Sequence, residues 1–210
     1  IYLSGTRHHA LTYNTPDSEI VTFVDSNFGN CMETGRSQSG LVSLMFGAAW
    51  LWRSARQPVV AQSTSEAEFI SMCDGAKELL YMGQFIEETG IPQLQQPGPS
   101  YATLSTQTGR GIVDSATTHD NMIALVRMQG DNEGAIKMAQ EGADTSRTRH
   151  MHRRYYFLRD LVKMGWLSIT HVRSALNLAD PLTKPLGKAM TRTTTSKMGL
   201  RAPQQATSSL

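Results

Sequence analysis

Cysteine is scarce: only Cys31 and Cys73 occur in 210 residues, both in apolar surroundings and without Cys-x-x-Cys or Cys/His spacing. A disulfide framework and a structural zinc site are therefore excluded, and a reduced compartment fits best. No apolar run approaches the roughly 20 residues that span a bilayer, and the segment Ile1-Tyr2-Leu3-Ser4-Gly5-Thr6-Arg7 lacks a signal-peptide pattern. A soluble, non-secreted protein with no membrane association is expected. Charge of one sign is also missing. Twenty basic side chains face eighteen acidic ones, for a net charge of +2, so attraction to a polyanion must come from local clustering. The chain starts at Ile1 and not at Met, which reads as a piece of a longer polypeptide.

The 40% of apolar and 18% of charged positions are enough for one domain with a real core and a tail. Ile20 to Val24 reads as a buried strand that stops at Asp25. Leu41 to Trp52, long and apolar around Gly47, reads as a strand pair or hairpin arm, and Val59 to Gln62 as the next strand. A helix follows from Thr64 to Thr89, with Phe69, Cys73, Ala76 and Leu80 on one face and Gly90 and Pro92 as its stop. Ser63 and Ser65 each precede a glutamate by three residues, a doubled capping-box signature with Glu66 and Glu68. Residues 92–120 are rich in Gln, Pro, Gly, Ser and Thr and read as an inserted loop. Met122 to Met128 reads as a strand, and Asp131-Asn132-Glu133-Gly134 opens a short helix. Arg147 to Lys163 is a further amphipathic helix, Trp166 to Val172 a strand, and Leu178 to Leu186 a short helix limited by Pro181 and Pro185. From Gly187 the chain turns basic and Thr-rich, and a largely disordered tail over 188–210 is expected.

Four acids fall where strands and a facing helix can converge: Asp25, Glu68, Asp131 and Asp180. Carboxylate oxygens suit hard divalent ions, and two such ions about 4 Å apart can activate a water and stabilise the leaving oxygen of a phosphodiester. Without cations, packed like charges would repel by several kcal/mol. Each acid also has an ordinary reading: Asp25 as a turn former, Glu68 as a capping-box partner, Asp131 and Asp180 as helix N-cap or first-turn acids.

The strings VDSNFGN, GRSQSGLVSLMFGAAWLWRSARQPVVAQSTSEAEFISMCDGAKELLYMGQFIEETGIP, DNEGAIKMAQ, SRTRHMHRRYYFLRDLV and NLADPLTKPL, in that order, closely resemble the ribonuclease H region that ends copia-type LTR retrotransposon Pol polyproteins. The first residues, IYLSGTRHHALTY, resemble the connector from reverse transcriptase. The resemblance covers about residues 1–91 and 122–187. It implies an α/β ribonuclease H-like fold, a mixed five-stranded sheet flanked by helices, with 1–19 as connector and 20–187 as the domain carrying the insertion. It further implies hydrolysis of the RNA strand of RNA–DNA hybrids with two Mg²⁺ ions, or Mn²⁺, and no small-molecule cofactor. Asp25, Glu68, Asp131 and Asp180 match the four metal ligands of the family.

Glu66 competes with Glu68 for the helical ligand. Two residues turn a helix through roughly 200°, so only one can face the metals, and Glu66 is expected to point outward. Arg147, Arg149, His150, Arg153 and Arg154, interleaved with Tyr155 and Tyr156, form the densest basic segment and are the candidates for phosphate contact; a solvated helix face is the alternative. Partners implied are the hybrid and a reverse transcriptase domain in the same polyprotein, in an intracellular setting such as a virus-like particle or the nucleus. Three features depart from the family pattern. Phe28 stands where Trp is usual, the 92–120 insertion precedes the strand carrying Asp131, and Arg173 to Ala179 contains no His. A catalytically decayed, nucleic-acid-binding remnant is the alternative function, and a transposase or integrase nuclease on the same fold a third.

Overall fold

The computed structural model describes residues 2–14, 19–89, 126–141 and 152–202. A short helix α1 (Tyr2–Thr6) and strand β1 (Ala10–Leu11) precede three longer strands, β2 (Val21–Asn27), β3 (Gln38–Met45) and β4 (Ala48–Arg56). Helix α2 (Thr64–Thr89) follows, then β5 (Val126–Gly130), α3 (Glu133–Glu141), α4 (His152–Lys163) and β6 (Leu167–His171). Two 3₁₀ turns, Ser174–Leu176 and Asp180–Leu182, lead to α5 (Lys188–Lys197) and β7 (Leu200–Arg201).

The main sheet has the order β4-β3-β2-β5-β6. β2, β3 and β4 run antiparallel, whereas β5 pairs parallel with β2 and with β6. Phe46 and Gly47 form the two-residue turn between β3 and β4, both at positive φ, 52° and 77°. That is the backbone a tight hairpin requires to match strand twist.

Alternating side chains of the central strands bury on both faces. Val24 and Leu41 join Phe69, Ile70, Met72, Cys73 and Leu158 in the larger core, under α2, α3 and α4. Phe23 and Val42 point the other way and pack with Leu178, Ala179 and Met198. A sheet covered on both sides explains why β2 reads as a continuous apolar run.

Four expectations are corrected. β2 does not stop at Asp25 but runs on to Asn27, because Asp25, Ser26 and Asn27 pair with Gly40, Ser39 and Gln38. Val59 to Gln62 is not a strand: Val59 and Val60 are 42% and 55% exposed. Instead the chain turns after β4, where buried Gln57 donates from Nε2 to the Ala67 carbonyl and Ser39 Oγ and so ties the turn to α2. Leu178 to Leu186 forms a 3₁₀ turn and no α-helix, since Pro181 and Pro185 withhold backbone donors. Of the tail 188–210 expected to be largely disordered, residues 188–201 fold as α5 and β7, and residues 203–210 lie outside the described residues. β7 pairs antiparallel with β1, and the Ala49 N–H donates to the Met198 carbonyl. The expected α2 is found at Thr64–Thr89. The 92–120 insertion and Met122 lie outside the described residues.

Candidate metal centre

Parallel pairing of β2 with β5 aligns Val21 with Arg127 and Phe23 with Gln129. The same register carried forward sets Asp25 level with Asp131, just past β5. From the opposite side α2 packs across both strands, and the Ser26 N–H donates to Glu68 Oε1 at 3.1 Å. One carboxylate oxygen each from Asp25, Glu68 and Asp131 lies within 4.8 Å of the other two. Asp25 is further fixed through its carbonyl, which accepts from Ser71 Oγ at 2.7 Å.

Asp25 and Glu68 are 2% and 6% exposed, and Asp131 is half-buried. Burial pushes the Glu68 carboxyl up to about 8; the charges of Asp25 and Asp131 add to it, and Ser26, through its side chain and its N–H, opposes it. Asp25 is raised to about 6, again mainly by burial; the Thr183 hydroxyl and the Lys184 ammonium pull it down, and Asp180 and Asp131 push it up. Glu68 Oε2 is buried with no hydrogen-bond partner among the described residues. A buried carboxylate oxygen is costly unless a donor or a cation meets it. Three hard oxygen donors converging on an unpartnered atom fit a divalent ion such as Mg²⁺ or Mn²⁺.

The ordinary readings of two of these acids fail on geometry. Asn132, not Asp131, caps α3: its Oδ1 accepts the Ala135 N–H at 2.9 Å. At α2 the capping role falls to Glu66, whose N–H donates to Ser63 Oγ at 3.1 Å while its Oε2 accepts the Gln62 N–H at 2.7 Å. Glu66 does not point outward as expected. It is 7% exposed, held beneath the helix start by that reach back to Gln62. Capping by Glu66 leaves Glu68 free to face the strands.

Asp180, the fourth expected ligand, lies outside the close group of three and faces only its Asp25 side, across Lys184. It sits in the 3₁₀ turn Asp180–Leu182, and its carboxylate meets Lys184 Nζ at 3.0 Å, while Nζ lies 3.9 Å from Asp25 Oδ2. Thr183, buried, donates its hydroxyl to Asp25 Oδ2. Burial disfavours the Lys184 ammonium, but Asp180, Asp25 and Asp131 outweigh it and raise its pKa. The turn reaches the sheet because residue 40 is glycine. A Cβ there would meet Thr183 Cγ2 at 2.6 Å and the Ala179 carbonyl at 3.0 Å. Asn177 Nδ2, donating to the Val24 carbonyl at 2.9 Å, anchors the same segment. Thr183 and Lys184 are site residues that sequence reasoning missed. Their signal was the string DPLTK, one helical turn beyond Asp180, read only for its acid.

Of the basic candidates, Arg147, Arg149 and His150 lie outside the described residues, as does the side chain of Arg153. Arg154 is half-buried on α4, and its carbonyl accepts from Cys73 Sγ at 3.5 Å, so its backbone is engaged with α2.

The strand order and directions, with α2, α3 and α4 on one face and the 3₁₀ turns and the end of α5 on the other, are those of a ribonuclease H-like α/β fold, here with an acidic cluster at the ends of its strands β2 and β5. In sequence the chain is similar to retrovirus-related Pol polyproteins of transposons, as the copia-type motifs implied. It is 25% identical over 183 residues to that of transposon TNT 1-94 from Nicotiana tabacum, covering 87% of this chain, and 26% identical over 200 residues to that of transposon RE2 from Arabidopsis thaliana, covering 95%. The chain spans 12% of the length of each of these relatives. No family model matches it. Among solved structures it is similar to LC11-RNase H1, isolated from compost, at 14% identity and a TM-score of 0.49, covering 79% of this chain and 92% of that one. Among the described residues, no helix is long and apolar enough to cross a membrane.

Proposed function

We propose that this chain is a divalent-metal-dependent nuclease that hydrolyses the RNA strand of RNA–DNA hybrids, within a Pol polyprotein that also carries reverse transcriptase. The observation that carries this reading is the convergence of buried Asp25 and Glu68 with half-buried Asp131, with ligand oxygens within 4.8 Å of one another and Glu68 Oε2 without a hydrogen-bond partner among the described residues. Such a cluster is held together most economically by a cation. Asp25, Glu68 and Asp131 would hold the ion, and Asp180 would join them as the fourth carboxylate.

A pair of Mg²⁺ or Mn²⁺ ions held there would supply activation of a water for in-line attack at phosphorus and charge stabilisation of the leaving oxygen. What the chain itself contributes is position. Ser26 N–H orients Glu68, Ser71 Oγ fixes the backbone at Asp25, and Asn132 keeps Asp131 out of the helix cap. Selection of RNA at the cut strand would rest on the 2′-hydroxyl. Arg147, Arg149, His150, Arg153 and Arg154 are proposed to contact the hybrid's phosphates, in an intracellular setting during reverse transcription.

The test is a labelled RNA–DNA hybrid incubated with the purified chain and Mg²⁺, beside duplex DNA and duplex RNA. Cutting confined to the RNA of the hybrid, leaving 5′-phosphate ends and lost in Asp25→Asn and Glu68→Gln, is expected. Binding of hybrid without cutting would overturn it in favour of a decayed binding module, and strand transfer on duplex DNA in favour of a transposase-like nuclease.

A further inference from the structure

Lys184 is the only described cation that touches the acidic pocket, and it does so at one side. Its Nζ lies 3.0 Å from Asp180 Oδ1 and 3.9 Å from Asp25 Oδ2, whereas its side chain is still 37% exposed. The contact with Asp180 Oδ1 has ion-pair distance but lacks hydrogen-bond alignment. Charge therefore holds it more than direction does. Asp25 and Asp180 are the residues that would hold a divalent ion on that side. Glu68 Oε2, on the far side, has no such partner.

We infer that Lys184 is a resident counter-cation of the Asp25–Asp180 side, and that a divalent ion recruits Asp180 only by displacing the ammonium from it. This rests on the metal-dependent reading above and deepens it. Lys184 is then a positioning residue: it neutralises Asp180 in the metal-free chain, opposes entry of an ion on that side, and leaves the Asp25–Glu68–Asp131 side open for the tighter ion. Two features make displacement feasible without refolding. The ammonium sits at the end of a flexible, half-exposed stem, and Asp180 is held by its own backbone, through the turn bonds from the Thr183 and Lys184 N–H groups to the Asp180 carbonyl at 3.1 Å each. The acid stays in place when the lysine leaves.

The experiment is calorimetric titration of the 210-residue chain with Mn²⁺ alone, together with Lys184→Gln, Lys184→Arg and the double variant Lys184→Gln/Asp180→Asn. The wild-type chain should take up one ion tightly and a second more weakly. Lys184→Gln should tighten the weaker step about tenfold, the scale of one partly screened charge contact. Lys184→Arg should leave it near wild type, and the double variant should lose the increase. Thermal melts provide a second readout: Lys184→Gln should melt below wild type without metal and recover when saturated with Mn²⁺. An unchanged weaker step in Lys184→Gln, an equal change in Lys184→Arg, or a melting deficit that Mn²⁺ does not reduce would overturn the inference while leaving the metal-dependent reading intact. Absence of Mn²⁺ binding in every protein would remove that reading, and the inference with it.

Discussion

The two sides of the acidic pocket differ in how their charge is answered. On the side of α2 and β5, no described basic side chain meets Glu68, and burial, with the charges of Asp25 and Asp131 added to it, raises its carboxyl to about 8. On the side of the C-terminal 3₁₀ turn, Asp180 meets an ammonium, and Asp25 receives the Thr183 hydroxyl as well. The first side is an electrostatic deficit that an external cation would relieve; the second is already relieved by the chain. The contrast teaches where an ion should bind most tightly, and which acids are ordered in its absence.

The largest effect that could break this comparison is on hydrolysis. Glu68→Gln should reduce cutting of an RNA–DNA hybrid by about a thousandfold or more, as loss of a charge that stabilises the reacting centre does. Above pH 8, where Glu68 is ionised, it should not lower the metal-free melting temperature, because it removes a repulsive charge. Asp180→Asn should have a smaller effect on cutting, about tenfold to a hundredfold, since its charge is already countered. Equal losses in single-turnover assays would erase the distinction between the two sides.

Gly40→Ala probes the second side through packing. The added methyl would collide with Thr183 and the Ala179 carbonyl, lifting the turn that carries Asp180 from β3. A destabilisation of about 1–3 kcal/mol in urea unfolding is expected, with hydrolysis reduced less than by Glu68→Gln. A neutral result would mean that the turn does not depend on that close approach.

The smallest effect is the pH dependence of the metal-free fold. Glu68 titrates from an ordinary 4.5 in the unfolded chain to about 8 when folded, and Asp25 from 3.8 to about 6. Between those values the folded chain binds more protons than the unfolded one, so its stability falls as pH rises, to about 6 for Asp25 and about 8 for Glu68. Melting temperature without metal should therefore rise on acidification from pH 8 to 6. Glu68→Gln or saturating Mg²⁺ should flatten that slope, and an unaltered slope in Glu68→Gln would contradict the assignment.

The same two sides differ in how far the sequence revealed them. Asp25, Glu68 and Asp131 each stand next to a local signal, a β-branched run, the start of a periodic helix and the end of a strand, which makes them candidates. Each also allowed an ordinary reading, and the family-like order of the motifs around them singled them out. Thr183 and Lys184 reach the site through packing against residues far away in sequence, Gly40 and Asp25, and no local pattern announces that. The far face of the sheet was illegible for the same reason. α5 is rich in Thr, a weak helix former, and its place depends on Met198 burying against Phe23, Val42 and Ala49 and on β7 pairing with β1. Val59 and Val60 misled in the opposite sense, having strand composition but lying exposed in the turn into α2.

Anomalous scattering from crystals of the chain grown with Mn²⁺ tests the central claim most directly. A peak among the carboxylates of Asp25, Glu68 and Asp131, present in the wild-type protein and absent in Glu68→Gln, is the predicted result. No peak there at saturating Mn²⁺, or one held by other residues, would contradict the account.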